Sequence, residues 1–429
     1  MGILAVLQLV FVLWASRAAI VEMTHCEFCD TAYYLTSANE FSRSGLLFAN
    51  HWDGYRSYFV PAVVAAVEKI SATAGYDGSD VKRYVHTITL LFLAYSVGAM
   101  WWLSKRVSVR QFVFAAAATI VNPFLIVYVP FALQEGVLMA LCLPLLFIWI
   151  GARDLGARPR AALVIIIALI AYVTRAALVW WIVPAVLYAA WIMRPYFRQP
   201  RQWTPTVLAV VFAGAVLLGP QIYVVKQKFN SINPYPSTAL LSNQIAWGIS
   251  LIKFASIEDH GHWRQLAYLS PFVAEPEDSK TIYFYWDRPA RGAFLLLGHA
   301  YAGFHYDEIK PYWQIQRSRI LTFWLLLSSA IVFLGVTQMA VTVVSGQLNA
   351  DGAFAIATLA LCATSLMLTA TESRFGIVGF VMLSAYALQL LARRPTREQW
   401  ALLLPGLLLY LALSFLFNAL MMQNGDIGL

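Results

Sequence analysis

Residues Leu163–Leu187 read "LVIIIALIAYVTRAALVWWIVPAVL", an apolar stretch cut near its middle by Thr174-Arg175-Ala176. It is either one bent segment or two short spans, and the choice fixes the direction of every later helix. A membrane-crossing helix needs about 20 apolar residues. Runs of roughly that length lie near 3–22, 86–103, 112–131, 136–152, 161–174, 177–193, 206–225, 320–343, 353–370, 375–392 and 400–420, eleven in all if the quoted stretch is divided at Arg175. Basic residues test the division. Lys105, Arg106 and Arg110 follow the second run; Arg153, Arg158 and Arg160 follow the fourth; Arg194, Arg198 and Arg201 follow the sixth; Arg393, Arg394 and Arg397 follow the tenth. With two spans, all four loops share one side, and the positive-inside bias places that side and the N-terminus in the cytoplasm. Fusing the two would scatter the basic loops over both faces.

Composition demands a membrane before any motif is considered. Of 429 residues, 60% are hydrophobic and only 12% charged, with mean hydropathy +0.66. Soluble domains are about half apolar and about a quarter charged. The expected fold class is therefore an all-α polytopic membrane protein. The net charge of +8 does not point to nucleic acid, because the four short loops hold twelve of the thirty basic residues. Residues 3–21 resemble a signal peptide but lack a basic n-region and carry Trp14 and Arg17, which favours an uncleaved first span. Cys26 and Cys29 form a CxxC without a thioredoxin-like pattern around it, and read as a local disulfide or two idle thiols. Cys142 and Cys362 lie inside apolar runs.

Two polar segments fall outside on this topology, 23–85 and 226–318. The first includes "YFVPAVVAAVEKI" (Tyr58–Ile70), suited to lying along the interface. The expected partition is 1–225, a transmembrane module with its first outer loop; 226–318, an extracytoplasmic loop between spans seven and eight; and 319–429, the C-terminal helices.

Ionisable residues within spans cost several kcal/mol and usually face a cavity or a partner. Three short sites qualify, all at outer ends of spans: Glu135 in "FALQEGVL", Arg175 in "AYVTRAAL", and Glu372 with Arg374 in "LTATESRFGIV". Each has a plain reading as a polar cap on a turn. Together they share a face with Asp30, Asp53 and Arg56. Asn122-Pro123 and Pro130 interrupt the third span, either opening a cavity or making a repaired kink. No P-loop, Rossmann glycine fingerprint, HExxH or GxSxG is present. His260-Gly261-His262 lacks a third metal ligand and reads as solvated loop. An outer carboxylate and outer arginines suit sugar transfer from a lipid phosphate. Arginine holds the anionic leaving group, and the carboxylate deprotonates the acceptor hydroxyl.

The pattern resembles the GT-C superfamily of integral membrane glycosyltransferases, which includes protein O-mannosyltransferases and aminoarabinose transferases. The likeness lies in "CDTAYYLTSANEF" after the first span, "HWDGYRSYFVP" linking two interfacial helices near 31–42 and 57–72, Glu135 at the turn between spans three and four, and "ESRFGIV" opening a late span. The resemblance implies Asp30 as catalytic base, although the same residue suits a helix N-terminus. It implies Arg56, Arg175 and Arg374 as donor-phosphate contacts, and Tyr33, Tyr34 and Tyr55 along the sugar or lipid path. Asp53, Glu135, Glu372, His299 and His305 complete the expected sugar and acceptor site, the two histidines within "GHAYAGFHYDEIKPYW" (Gly298–Trp313). The implied donor is a polyprenyl-phosphate-linked sugar, and the acceptor a cell-envelope glycan, lipid or protein. The implied location is the bacterial inner membrane with the site on its periplasmic face. A divalent cation, Mg or Mn, is left open, with Asp30, Asp53 and Glu135 as its ligands or as mutual repellents. The chain is shorter than the larger transferases, so acceptor recognition falls to 226–318, where Trp247, Trp263, Tyr283, Tyr285 and Trp286 offer platforms or loop core. Two rival classes remain: a transporter or flippase of a lipid-linked sugar, against which no half-repeat is visible, and a non-catalytic assembly subunit.

Overall fold

The structure, a computed structural model, describes residues 2–25, 30–45, 54, 56–109, 112–113, 128–151, 156–236, 239–259, 262–304, 319–346, 348–369, 376–392 and 396–423. In chain order its main elements are α1 (Gly2–His25), α2 (Asp30–Ser44), α3 (Phe59–Thr73), α4 (Asp80–Ser104), α5 (Gln134–Gly151), α6 (Ala157–Thr174), α7 (Ile182–Met193), α8 (Pro200–Phe229), α9 (Ala239–Ser250), strands β1 (Leu251–Asp259) and β2 (His262–Leu269), the short α10 (Phe284–Asp287), α11 (Pro289–Phe304), α12 (Arg319–Val344), α13 (Ala350–Met367), α14 (Ile377–Ala392) and α15 (Arg397–Gln423). It is a helical membrane protein. Among the described residues, six helical segments are long and apolar enough to cross a membrane: Asp80–Ser104, Ala157–Thr174, Ala176–Tyr196, Arg201–Phe229, Leu326–Val344 and Arg397–Leu416. Shorter apolar helices cover Gln8–Val21, Gln134–Trp149, Ala350–Thr364 and Val378–Leu391. The expected third span, 112–131, lies mostly outside the described residues.

One element departs from an all-helical expectation. Within the second polar segment, β1 and β2 pair antiparallel, from Leu251 opposite Leu269 to Asp259 opposite His262, with an irregularity between Leu251 and Lys253. The strands read "LIKFASIED" and "HWRQLAYL", with Ile252, Phe254, Ile257, Trp263 and Tyr268 as their β-branched and aromatic residues. The chain also divides by its internal packing. It forms two compact units, 1–238 and 239–429, so residues 226–238 join the N-terminal helices and the hairpin joins the C-terminal ones.

In the N-terminal unit the apolar stretch of the opening quotation is broken where the charges require. Helix α6 ends at Thr174, Arg175 turns into extended backbone, and a 3-10 helix over Ala176–Trp181 leads into α7. The unit then has two chemically distinct ends. At one, the start of α6 and the end of α7 meet the start of α8: Arg158 lies 5.5 Å over the Tyr196 ring and donates to the Gln202 carbonyl, and Arg160 lies 5.1 Å over Trp149. Thirty residues of α8 then rise about 45 Å at ~1.5 Å each, more than a hydrocarbon core of about 30 Å. They deliver Phe229 to the opposite end, against Gly54. Gly54 has φ +81°, and a Cβ there would come 2.8 Å from the Phe229 ring. Only glycine fits that turn at no steric cost.

Helices α2 and α3, where two helices were expected near 31–42 and 57–72, lie against each other at this second end, with Phe41 and Tyr58 rings 4.9 Å apart. In the C-terminal unit a core of Ile249, Ile252, Phe284, Leu295 and Ala302 joins α9, β1, α10 and α11. There α12 and α14 touch backbone to backbone, since a Cβ on Gly335 would lie 2.5 Å from the Leu383 carbonyl oxygen. Small residues permit such approach between membrane helices.

Candidate functional site

The site is built at the end of the N-terminal unit where α1 and α6 finish and α5 begins. Asp30 opens α2, where its negative charge favours the positive end of the helix dipole. Arg56 lies in the link before α3, and its Nη2 stands 3.6 Å from Asp30 Oδ1. The same guanidinium sits 4.2 Å over the Tyr33 ring. Both members of this pair keep about a third of their side-chain surface in solvent, 29% for Arg56 and 32% for Asp30.

A second pair lies deeper. Glu135 is in the first turn of α5, 2% exposed, and accepts from Arg175 Nη1 at 2.6 Å. Its position depends on the turn before it: the Phe131 and Leu133 amides donate to Tyr128 and Phe131 carbonyls. A Cβ on Gly136 would lie 2.3 Å from the Phe131 oxygen, so the turn admits no side chain there. Glu135 is thus fixed by backbone, and Arg175 by the end of α6.

Tyr34 stands between the pairs. Its ring meets that of Tyr33 edge-on at 5.4 Å, and it is fully buried. Burial above all, then the negative charges of Asp30 and Glu135, hold its phenol well above the usual range, with Arg56 pulling the other way. The carboxylates of both pairs thus act on the one phenol.

Backbone staples align its halves. Ser57, next to Arg56, donates its hydroxyl to the Val173 carbonyl at 2.6 Å and accepts from the Val60 amide at 3.1 Å. The Tyr235 hydroxyl faces the carbonyls of Tyr172 and Val173 at 2.9 and 3.0 Å. Asn233 holds Tyr235 in place by accepting its amide at 3.1 Å. Sequence reasoning passed over Ser57 and Tyr235. The only signal was the "NPYP" turn (Asn233–Pro236), whose residue types favour a fixed turn.

Other expected site residues fall elsewhere. Asp53, Tyr55, Glu372, Arg374 and His305 lie outside the described residues, as do Cys26 and Cys29. His299 is not placed at an open site. It is fully buried in the C-terminal unit, with Nδ1 2.6 Å from the Met367 carbonyl and Nε2 3.1 Å from that of Leu251. Burial lowers its basicity while those carbonyls raise it. It ties α11 to the ends of α9 and α13. Of the expected aromatic platforms, Trp247, Tyr283 and Trp286 are exposed, while Tyr285 packs edge-on against Phe284. No three His, Cys, Asp or Glu side chains among the described residues are grouped to hold a metal ion. Comparison with known proteins yields no family model, no curated protein and no solved structure that matches the chain.

Proposed function

We propose that the chain is an integral membrane glycosyltransferase that moves a sugar from a polyprenyl-phosphate donor to a cell-envelope acceptor, with Asp30 as general base. The observation that carries this reading is the accessible Asp30–Arg56 pair at the end of the helices that also holds the buried Glu135–Arg175 pair. A phosphate arriving at that end competes with Asp30 for Arg56, since both are anionic partners for one guanidinium. Once Arg56 turns to the phosphate, the carboxylate is released to take the acceptor hydroxyl's proton. The acceptor oxygen then bonds to the anomeric carbon as the bond from that carbon to the phosphate oxygen breaks, and the electron pair leaves on the lipid phosphate. The Tyr33 ring, already under Arg56, supplies a flat wall for sugar or lipid.

On this reading the chain has eleven spans, its N-terminus is cytoplasmic, and the paired end faces the periplasm of a bacterial inner membrane. The opposite end supports that orientation, because Arg106, Arg158 and Arg160 all lie there against aromatic rings. A divalent cation would need Asp53 beside Asp30, whose charge Arg56 already offsets.

The test is Asp30→Asn in proteoliposomes supplied with labelled polyprenyl-phosphate sugars and envelope acceptors. Loss of a general base predicts transfer slowed by about 10²–10⁴-fold with donor binding retained. Wild-type transfer by the variant would rule out Asp30 as the base, and absence of transfer by the wild-type protein itself would favour an assembly subunit.

A further inference from the structure

Arg17 is a charge inside the first apolar helix that the transferase reading leaves unused. Helices α1 and α4 cross tightly through Ala15, Ser16 and Ala19, and the Ser16 and Thr89 hydroxyls share a 2.8 Å hydrogen bond. Beside that crossing lies an open groove of about 530 Å³, lined by Leu13, Arg17, Ile20 and Val21 from α1 and by His86 and Leu90 from α4, with Tyr76 at its rim. The volume falls within the ~300–1,000 Å³ of small-molecule sites. Its walls are almost wholly apolar, and Leu13 and Leu90 are 53% and 67% exposed. Among the described residues no carboxylate pairs with Arg17. An uncompensated guanidinium on such a wall costs several kcal/mol unless an anion meets it.

The second polar group points the same way. The Tyr76 hydroxyl hydrogen-bonds His86 Nδ1, with the rings edge-on at 5.5 Å. When the phenol donates, the neutral imidazole carries its proton on Nε2 and has a donor to offer beside Arg17. A groove with apolar walls, a guanidinium that no carboxylate among the described residues meets and an imidazole complements a hydrocarbon chain ending in an anionic phosphate.

We infer that this groove binds an anionic phospholipid, with one acyl chain along Leu13, Ile20 and Leu90 and the phosphate on Arg17 assisted by His86. The inference stands apart from the transferase reading and requires only that the chain spans a membrane. It is tested by native mass spectrometry of the full chain released from nanodiscs of equal phosphatidylglycerol and phosphatidylcholine. Wild type should retain phosphatidylglycerol preferentially. R17Q should lower that preference about tenfold, as expected for loss of a charge-assisted contact, while R17K should keep most of it. R17Q removes an unpaired charge, so it should melt no lower than wild type once delipidated. L90W should fill the groove and lower retention of both lipids without touching the charge, and millimolar inorganic phosphate should not displace the lipid. An unchanged lipid ratio in R17Q, unchanged retention in L90W, or displacement by phosphate alone would each overturn the assignment.

Discussion

The two ion pairs of the N-terminal unit use the same chemistry and differ in everything else. Asp30–Arg56 is long, at 3.6 Å, and accessible; Glu135–Arg175 is short, at 2.6 Å, with its carboxylate 2% exposed. A pair in solvent contributes little to stability and exchanges partners readily. A buried pair resists removal of either member, because the other is left as an uncompensated charge. The comparison separates the two by environment: the Asp30–Arg56 pair is accessible to solvent, and the Glu135–Arg175 pair ties α5 to the end of α6.

The contrast can be broken in order of expected effect on stability. Glu135→Gln removes the buried carboxylate that accepts from Arg175 and should cost about 3–5 kcal/mol, read as a large drop in melting temperature in detergent. A loss below about 1 kcal/mol would erase the distinction between the pairs. Ser57→Ala removes a buried hydroxyl that serves both the Val173 carbonyl and the Val60 amide, and should cost about 1–2 kcal/mol by thermal melting. The Tyr235 hydroxyl still serves Val173, which keeps the effect smaller than that of Glu135→Gln.

Glu68 on α3 sharpens the picture from a third environment. Partial burial, with a contribution from Asp80, raises its carboxyl from 4.5 to about 7. Between those values the unfolded chain ionises while the folded one keeps its proton, so stability falls as pH rises through the window. Glu68→Gln should remove that fall and stabilise the protein by about 1 kcal/mol above pH 7, after allowing for solvent screening. Melting curves from pH 4.5 to 8 measure it. Parallel curves for variant and wild type would contradict the shift.

Much of the fold was legible because apolar run length and basic loops are strong, local signals. The break at Arg175, the interfacial α2 and α3, and the terminal positions of Asp30, Glu135 and Arg175 all follow from residue type and spacing. Which residues would pair was not legible. Arg56 meets Asp30 and Arg175 meets Glu135 because Ser57 and Tyr235 staple distant backbone to the end of α6, a contact over 116 residues for Ser57. The surroundings of His299 were not legible either, because an aromatic-rich stretch reads alike as a platform or as core, and only burial tells them apart. The β1–β2 hairpin was hidden by the expectation that a helical membrane protein keeps helical loops.

The central claim is that the accessible pair works and the buried pair holds. It is tested most directly by measuring Asp30→Asn and Glu135→Gln side by side, each for melting temperature and for sugar transfer in proteoliposomes. The account predicts that Asp30→Asn changes stability by less than about 1 kcal/mol while transfer falls by about 10²–10⁴-fold, and that Glu135→Gln is the variant that melts early. An Asp30→Asn protein that transfers sugar at the wild-type rate would contradict it.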